Sequence, residues 1–450
     1  PNILAAWVRS EPTGQYARRA GFLYEWITRR QLDVEGVSIG GGYVDALDPD
    51  DQMVAEKSAN LARWRVRDNM PGTSDFCPTV RRTPQVREAL EFDLAAALGK
   101  EEAEFGAEVL RRSAVWMTLR ESRSSFLIEG EQDQVSRVQR FAAVMETRTG
   151  AGEIPLSGED LATLQKDILG EVTTLASFGL RQSPVFVGET VRYEHVVHYV
   201  APEWTDVAPM LEGLRTFVER TRGASATARA AVASFAFVYI HPLADGNGRV
   251  HRFLVNDVLR RDRAIHAPFI LPISALITEH SAERARYDEA LEAFSRPLME
   301  RYADRYRFSR EPELQPDGVM SNFHFDAYAD ARMAWRFLDL TSHVEYTAGL
   351  LARTIQQEMH AQAAFFRSLG QARAAVKEII EGPDADVDAI IRSARENSGV
   401  RSGKLAKRFP ALLNDATWER VAAAVAESFA SPSPPEDAGD ADPEIRHPMG

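Results

Sequence analysis

The sequence predicts a mostly α-helical protein with one small β-hairpin and further helical regions toward both ends. Several segments place apolar residues at the i, i+3, i+4 and i+7 positions of a buried helix face. Two short β-branched and aromatic runs, 184–187 and 196–200, flank a polar turn and predict the hairpin. These patterns divide the 450 residues into five regions: an N-terminal region of helix plus loops (1–114), a central helical domain (115–305), a helical extension (306–382), a small C-terminal helical unit (383–430) and a disordered tail (431–450).

Local signals support individual elements along the chain. Residues 16–34 are helix-like, and a loop-rich stretch follows them. Ser157, with an acidic residue three positions later, is typical of a helix N-terminus, and residues 208–221 have an amphipathic pattern. Residues 310–318 contain the breakers of a turn or linker, and the pattern from 322 to 381 is helical again.

The most informative stretch is residues 241–252, HPLADGNGRVHR. The residues before and after it have the apolar spacing of buried helices. We therefore expect one helix to close at His241, the chain to turn through Asp245–Gly248, and a second helix to open near Arg249. An Asn-Gly pair alone is also a hairpin signal. A hairpin, however, needs flanking strands in which apolar and polar residues alternate, whereas the apolar residues flanking this stretch have helical spacing.

Five residues of this stretch suit a polyphosphate. Gly246, Asn247 and Gly248 leave the backbone free to turn successive N–H groups toward one point at a helix N-terminus, where anions are favoured. Arg249 and Arg252 are three residues apart, so both lie on one face of the second helix, and guanidinium groups bind phosphate through a fixed fork.

Two further side chains supply chemistry beside that cradle. Asp245 is a hard oxygen ligand for Mg²⁺, which can be shared with phosphate oxygens. His241 is suited to deprotonating an attacking hydroxyl, since a neutral imidazole titrates near working pH. A lone histidine after an apolar run is more often a core residue, but here it accompanies the whole constellation.

This stretch resembles the signature of the Fic family, His-Pro-Phe-x-Asp/Glu-Gly-Asn-Gly-Arg-x-x-Arg, with Leu243 in place of the usual Phe. Fic proteins mostly transfer AMP from ATP to a hydroxyl side chain of a protein. A related branch phosphorylates instead and lacks the second glycine and the last arginine, so Gly248 and Arg252 favour AMP transfer. The resemblance implies that His241 is the general base, that Asp245 holds Mg²⁺ or Mn²⁺, and that the remaining signature residues bind ATP: Gly246, Asn247, Gly248, Arg249 and Arg252.

A second motif lies upstream. Ser125, Glu129 and Gly130 match the Ser/Thr-x-x-x-Glu-Gly/Asn motif of the inhibitory helix found in many Fic proteins. Gly130 suits a helix end, which places Glu129 in a last turn where the helix dipole disfavours an anion. The resemblance implies that Glu129 pairs with Arg252 and holds ATP in a non-productive pose. An ordinary surface glutamate is the plainer interpretation.

In Fic proteins a β-hairpin before the core, the flap, clamps the target segment by strand addition. The resemblance places the flap at the two β-runs. This match is one of position, and a plain surface hairpin is an equal interpretation.

Composition and charge limit the partners and the cellular compartment that the sequence predicts. The formal net charge of −13 argues against nucleic acid as a partner of the whole surface. The chain has no apolar run of 18 residues, so no membrane partner is expected, and its start shows no secretory signal. The single cysteine, Cys77, suits a reducing compartment. We therefore expect a cytoplasmic protein.

The predicted function is an autoinhibited protein adenylyltransferase with Mg²⁺ or Mn²⁺ as cofactor and ATP as co-substrate. Its partner is a target protein with an accessible Ser, Thr or Tyr hydroxyl, or the chain itself, and a homo-oligomer is compatible with the sequence. Two alternatives within the fold are AMP removal, with Glu129 orienting water, and transfer of another phosphate-linked group. A third is a helical regulatory or DNA-binding protein with an inactive site, in which residues 401–408 supply a basic segment; a solvated basic face on a helical bundle is the favoured interpretation of that segment.

Overall fold

The computed structural model describes residues 1–129, 135–192 and 194–430, and about 59% of these residues are helical. This confirms the predicted mostly α fold with a small hairpin. The predicted tail, 431–450, lies outside the described residues. Within them, no helix is both long and apolar enough to cross a membrane.

The chain divides into two compact units. The first comprises Pro1–Ala96 and Thr118–Thr354, and the second comprises Ala97–Met117 and the chain from Ile355 onward. This division cuts across the boundaries expected at residues 114, 305 and 382.

The first unit begins with helices and a very small sheet. Its N-terminal elements are α1 (Asn2–Ser10), α2 (Gln15–Thr28), β1 (Val44–Asp45), β2 (Ala59–Leu61), β3 (Val66–Asp68) and α3 (Pro84–Ala89). Strand β3 lies between β1, which is parallel to it, and β2, which is antiparallel. The sequence predicted only loops here, because strands of two or three residues are too short to display a period.

The next helices carry the candidate site. After α4 (Leu94–Phe105), which belongs to the second unit from Ala97 onward, they are α5 (Ala107–Ile128), which belongs to the first unit from Thr118 onward, α6 (Val135–Arg148), α7 (Gly158–Leu169), α8 (Trp204–Arg220), α9 (Ala226–Ile240) and α10 (Asn247–Arg261). Almost every residue of α9 and α10 is buried, and the two helices pack against each other at the centre of this unit. Ser157 caps α7 as predicted, accepting a hydrogen bond from the Asp160 N–H at 3.1 Å.

Two hairpins and four further helices complete the first unit. They are β4 (Phe186–Val191) with β5 (Glu194–Val200), α11 (Ile273–Glu279), α12 (Ser281–Tyr302), β6 (Tyr306–Leu314) with β7 (Met320–Phe325), α13 (Tyr328–Arg336) and α14 (Thr341–Arg353). The prediction of helix from residue 322 is wrong at its start, since β7 runs to Phe325. The expected turn or linker at 310–318 is instead the end of β6 and the tight turn of this second hairpin.

The second unit is helical. After a π-helical turn, Thr354–Met359, it contains α15 (His360–Lys377), α16 (Asp384–Glu396), α17 (Gly403–Arg408), a 3₁₀ turn (Pro410–Leu413) and α18 (Asp415–Ser428). Helices α15, α16 and α18 share one apolar core, in which Ala372, Val376, Ile390, Trp418 and Val421 are buried.

Candidate active site

His241 is the residue that terminates α9. Its backbone is left-handed (φ 49°, ψ 58°), and its N–H still bonds to the Phe237 carbonyl at 2.9 Å. Such a residue commonly ends a helix, although it is usually glycine or asparagine. A histidine here carries some backbone strain, which is typical of functional positions.

The His241 ring is held as a neutral base. Its Nδ1 lies 3.1 Å from the Val238 carbonyl oxygen, and because a carbonyl only accepts, Nδ1 carries the proton and Nε2 keeps its lone pair. Burial of the ring, together with the nearby Arg181 guanidinium, lowers the pKa of His241 to about 4. Near neutral pH the ring is therefore unprotonated at Nε2.

The loop between the two helices is closed by Asn247. Its side-chain oxygen accepts from the Leu243 N–H at 3.0 Å, and its side-chain amide donates to the Leu243 carbonyl at 2.8 Å. Both the oxygen and the amide group of the side chain thus shape the loop. Helix α10 starts at Asn247, two residues earlier than expected, because Gly246 takes the left-handed conformation (φ 94°) and acts as its N-cap.

Gln165 of α7 fixes this loop from outside. Its side chain donates to the Asp245 carbonyl at 2.8 Å and accepts from the Gly179 N–H at 2.8 Å. The Asp245 side chain itself points outward and is 52% exposed, whereas its ion-pair partner Arg249 is almost fully buried, with 3.1 Å between Arg249 Nη2 and Asp245 Oδ1. The guanidinium of Arg249 also lies over the Phe126 ring, 5.1 Å from its centroid.

Asp245 could contribute one carboxylate oxygen to a divalent cation. In the part of the chain that the structure describes, no group of three or more His, Cys, Asp or Glu residues could hold a metal ion. Mg²⁺ commonly binds through one or two carboxylates, substrate phosphates and water. A single exposed carboxylate beside the N-terminus of α10 suits that mode.

Arg252 makes the long-range contact expected of an inhibitory helix. Its side chain is 1% exposed; Nε donates to Ser125 Oγ at 2.8 Å, and Nη2 donates to the Ser125 carbonyl at 3.0 Å and to Glu129 Oε1 at 2.6 Å. Burial opposes the charge of Arg252, but Glu129, with smaller contributions from Tyr287 and Glu121, acts against it, and the pKa of Arg252 is raised. Burial likewise opposes ionisation of Glu129, yet attraction and hydrogen bonding from Arg252 leave the pKa of Glu129 lowered.

The Glu129 carboxylate lies on the N-terminus of α10. A Cβ atom added to Gly248 would collide with it, so a glycine is required there for an oxygen anion to approach the backbone. The carboxylate thus occupies the place that the dipole of α10 and its two arginines make favourable for a phosphate. Gly130, the last residue of the predicted motif, lies outside the described residues.

Several residues that build the site escaped the sequence analysis. Gln165 and Arg181 bond mainly to main-chain atoms of distant residues, and such contacts leave no pattern in a sequence. Glu121, one turn before Ser125 on α5, is buried and accepts from the Ser274 N–H at 2.7 Å and hydroxyl at 2.6 Å. Burial raises the pKa of Glu121 to about 7, although the Ser274 hydrogen bonds act in the opposite direction.

The predicted flap is the β4–β5 hairpin. Its two strands pair in antiparallel fashion, beginning with Phe186 opposite Val200. The register of this pairing shifts between Val187 and Gly188. Gly188 is needed at that point, because a Cβ there would strike the Val196 carbonyl oxygen. Val187 and Val196 are exposed on the flap.

The second hairpin, β6–β7, packs against the flap. The Phe186 ring lies 4.8 Å from that of Phe323 and 5.2 Å from that of Phe308, with the His195 ring 4.3 Å from Phe308. In the turn of this hairpin, Asp317 accepts from the Gln182 N–H and the Ser183 hydroxyl, both at 2.8 Å.

Known proteins are similar in sequence to this part of the chain. Residues 155–259 match the Fic/DOC family. Curated relatives include protein adenylyltransferase fic-1 of Caenorhabditis briggsae, 31% identical over 120 residues, or 26% of this chain and 22% of the relative. Protein adenylyltransferase Fic of Drosophila grimshawi is 29% identical over 122 residues, or 27% of this chain and 23% of the relative. The chain thus spans about a fifth of the length of these relatives.

Among solved structures, a Fic family protein from Desulfovibrio desulfuricans G20 aligns with a TM-score of 0.39 and 17% identity, over 73% of this chain and 94% of that one. The matched residues 155–259 contain the whole loop and helix from His241 to Arg252, whereas Ser125 and Glu129 lie before them. Residues 155–259 of the chain are thus similar to the Fic/DOC family.

Proposed function

We propose that this protein is an autoinhibited adenylyltransferase that transfers AMP from ATP to a Ser, Thr or Tyr hydroxyl of a target protein or of itself. One observation carries the proposal: a neutral histidine with an Nε2 lone pair adjoins a helix N-terminus that presents two buried arginines. That arrangement places a base beside an anion site, which is what in-line transfer of a nucleotidyl group from a polyphosphate requires.

In the proposed reaction the hydroxyl oxygen of the target attacks the α-phosphorus of ATP. His241 Nε2 takes the hydroxyl proton as the new O–P bond forms. The bond between the α-phosphorus and the bridging oxygen breaks, and pyrophosphate leaves with the electron pair. The products are the AMP ester of the target and pyrophosphate, so atoms and charge balance.

The phosphates are assigned to the N-terminus of α10. Arg249 and Arg252 neutralise the outer phosphates, and the main-chain N–H groups of its first turn face the same anion. Asp245 would hold Mg²⁺ or Mn²⁺ against the phosphate oxygens. When bound, that cation would neutralise charge that develops on the leaving pyrophosphate.

Autoinhibition follows from competition for one arginine. While Glu129 bonds to Arg252 and covers Gly248, an outer phosphate cannot take the same place. While Glu129 bonds to Arg252, the protein is therefore expected to bind ATP poorly or in a non-productive pose.

AMP removal is the second candidate. The carboxylate that would orient water in that reaction is Glu129, whose charge acts on both Arg252 and His241. The alternative of a DNA-binding protein is disfavoured by two of the basic residues proposed for it: Arg401 donates to the Leu412 carbonyl at 2.8 Å, and Arg408 pairs with Asp386 at 2.8 Å.

The deciding experiment follows the label of ATP. The purified chain and its Glu129→Gly variant are incubated with Mg²⁺ and with ATP labelled at either the α or the γ position, and incorporation into protein is measured. Label from the α position alone supports AMP transfer. Label from the γ position alone would establish phosphorylation instead, and no label from either in the variant would refute the proposed transfer to itself.

A further inference from the structure

Arg181 lies between the candidate catalytic residue and the flap. It precedes β4, and only 2% of its surface is exposed. Its Nε donates to the carbonyl of His241 at 2.7 Å. Its Nη1 donates to the carbonyl of Ser183 at 2.8 Å, and its Nη2 to that of Pro202 at 2.6 Å. Ser183 comes just before the first flap strand, and Pro202 just after the second.

The same guanidinium caps α9. Nη2 also lies 3.5 Å from the carbonyl of Ile240, the last residue of the helix. Carbonyls at a helix C-terminus lack partners within the helix, and a cation there interacts favourably with the helix dipole. One planar guanidinium therefore donates hydrogen bonds at the end of α9 and at both ends of the flap.

Main-chain bonds reinforce this connection. The Arg181 N–H donates to the Pro242 carbonyl at 2.9 Å, and Leu180 forms an antiparallel bridge with Leu243. The segment leading into β4 thus runs alongside the loop that follows His241.

A charge in this position is costly to the fold. Burial lowers the pKa of Arg181 to about 10, with Tyr328, Tyr199 and Asp317 acting in the opposite direction, so the guanidinium still carries its charge at neutral pH. Its hydrogen-bond acceptors named above are all neutral carbonyls. A buried charge whose hydrogen-bond acceptors are neutral carbonyls loses hydration that main-chain dipoles only partly replace.

We propose that Arg181 is a positioning residue that holds His241 and the two ends of the flap in one rigid arrangement, so that a target segment on the flap meets the base at a fixed distance. This inference rests on the proposed function. It assigns to Arg181 no contact with ATP, target or reacting atoms. Its role depends on the shape of the guanidinium, since the single ammonium group of lysine has no planar fork to reach acceptors on both sides.

Three variants test the proposal, each made in the Glu129→Gly background. Arg181→Lys keeps the charge and removes the fork, and Arg181→Met removes both. Arg229→Lys is the matched control, because Arg229 is also buried (3% exposed) and donates to the Val218 carbonyl in the last turn of α8, at 2.7 Å.

Hydrogen exchange is the first measurement and needs no activity. In both Arg181 variants we expect faster exchange in two segments together, residues 186–200 and 241–247, and in the control we expect neither. Exchange that rises in one segment only, or that Lys restores to the level of the parent chain, would overturn the proposal. If Arg181→Met does not fold, Arg181→Lys alone decides.

Self-transfer from α-labelled ATP is the second measurement. In Arg181→Lys we expect kcat to fall by about 10- to 100-fold, the order that misplacement by about 1 Å costs, with KM for ATP unchanged. An equal loss in Arg229→Lys, or a loss confined to KM for ATP, would contradict a positioning role. If the parent Glu129→Gly chain transfers no AMP, the proposed function fails, while the exchange data still decide whether Arg181 couples the flap to His241.

Discussion

Glu129 and Arg252 form an ion pair in which each side chain compensates the charge of the other. Arg252 is almost fully buried and Glu129 is one third exposed, so the pair has lost hydration at one end and keeps some at the other. Removing one partner of a buried ion pair leaves an uncompensated charge. Under the proposed function, an Arg252 left in this way is expected to bind another anion, such as the outer phosphate of ATP.

The first prediction concerns this pair. Glu129→Gly should raise AMP transfer, because Arg252 and the backbone at Gly248 become available to ATP, and each 1.4 kcal/mol of released competition raises the rate about tenfold. Incorporation of α-labelled AMP measures it. Glu279→Gln is the matched control, since Glu279 pairs with Arg120 of the same helix α5 but not with Arg252. Equal activation by both variants would point to loosening of the helix rather than to the release of Arg252.

The second prediction concerns the base. His241→Ala in the Glu129→Gly background should reduce transfer by about 10²- to 10⁴-fold, the usual contribution of a general base. Binding of ATP should persist, because the phosphate cradle lies on α10. Single-turnover labelling and calorimetric titration with ATP measure the two properties. Transfer at the parental rate would remove His241 from the mechanism.

The third prediction is the pH dependence of transfer. The pKa of His241 is lowered to about 4, and a lowered pKa means that the basic form persists to lower pH. From pH 8 down to pH 6 the rate of the Glu129→Gly chain should therefore not fall through protonation of His241. The acid limb is expected only as the pH approaches 5. A midpoint near 6.5, the ordinary value for histidine, would show that the ring is hydrated in the active state.

At the scale of elements, the flap is braced by a second hairpin. The rings of Phe308 and Phe323 pack on Phe186, and Asp317 bonds to the residues that lead into β4. A hairpin with two strands is only marginally stable alone. The β6–β7 hairpin therefore supplies packing that the flap needs in order to keep its shape.

The fourth prediction tests this brace. Asp317→Ala removes the acceptor of the Gln182 N–H, and a hydrogen bond of about 1 kcal/mol corresponds to about fivefold faster exchange of that amide. Amide exchange by NMR measures it. Asp317→Asn is the control, because the side-chain oxygen of Asn still accepts, and it should retain most of the protection. Unchanged exchange in Asp317→Ala would mean that the turn does not hold the flap.

How far the sequence predicts these elements depends on the range of the contacts. The His241 loop was predicted because its signals lie within a dozen residues. The pairing of Glu129 with Arg252, 123 residues apart, followed only from a family resemblance. The β6–β7 hairpin was missed, since its strand β6 is largely exposed and rich in charged residues, and its Pro and Gly residues are those of a linker. Arg181 was missed because its acceptors are main-chain carbonyls, which any residue provides.

At the scale of the whole molecule, the division into units differs from the sequence-based regions. Residues 383–430 were expected to form a unit of their own after a helical extension. In the structure they pack with α15, where Arg395 lies over the rings of Phe365 and Phe429, 5.0 and 4.3 Å from their centroids. Residues far upstream belong to the same unit: the Phe105 ring meets that of His360 edge-on at 5.0 Å.

The fifth prediction follows from this shared core. A chain that ends at residue 382 loses α16–α18 and uncovers the side chains of Ala372 and Val376 on α15. Exposing a buried side chain of valine size costs roughly 1.5–3 kcal/mol, so α15 should lose protection against hydrogen exchange and the second unit should melt at a lower temperature. A chain that ends at residue 430 is the control and should melt as the parent does. Equal protection of residues 360–377 in the two truncated chains would instead mean that residues 383–430 fold independently, as the sequence pattern suggested.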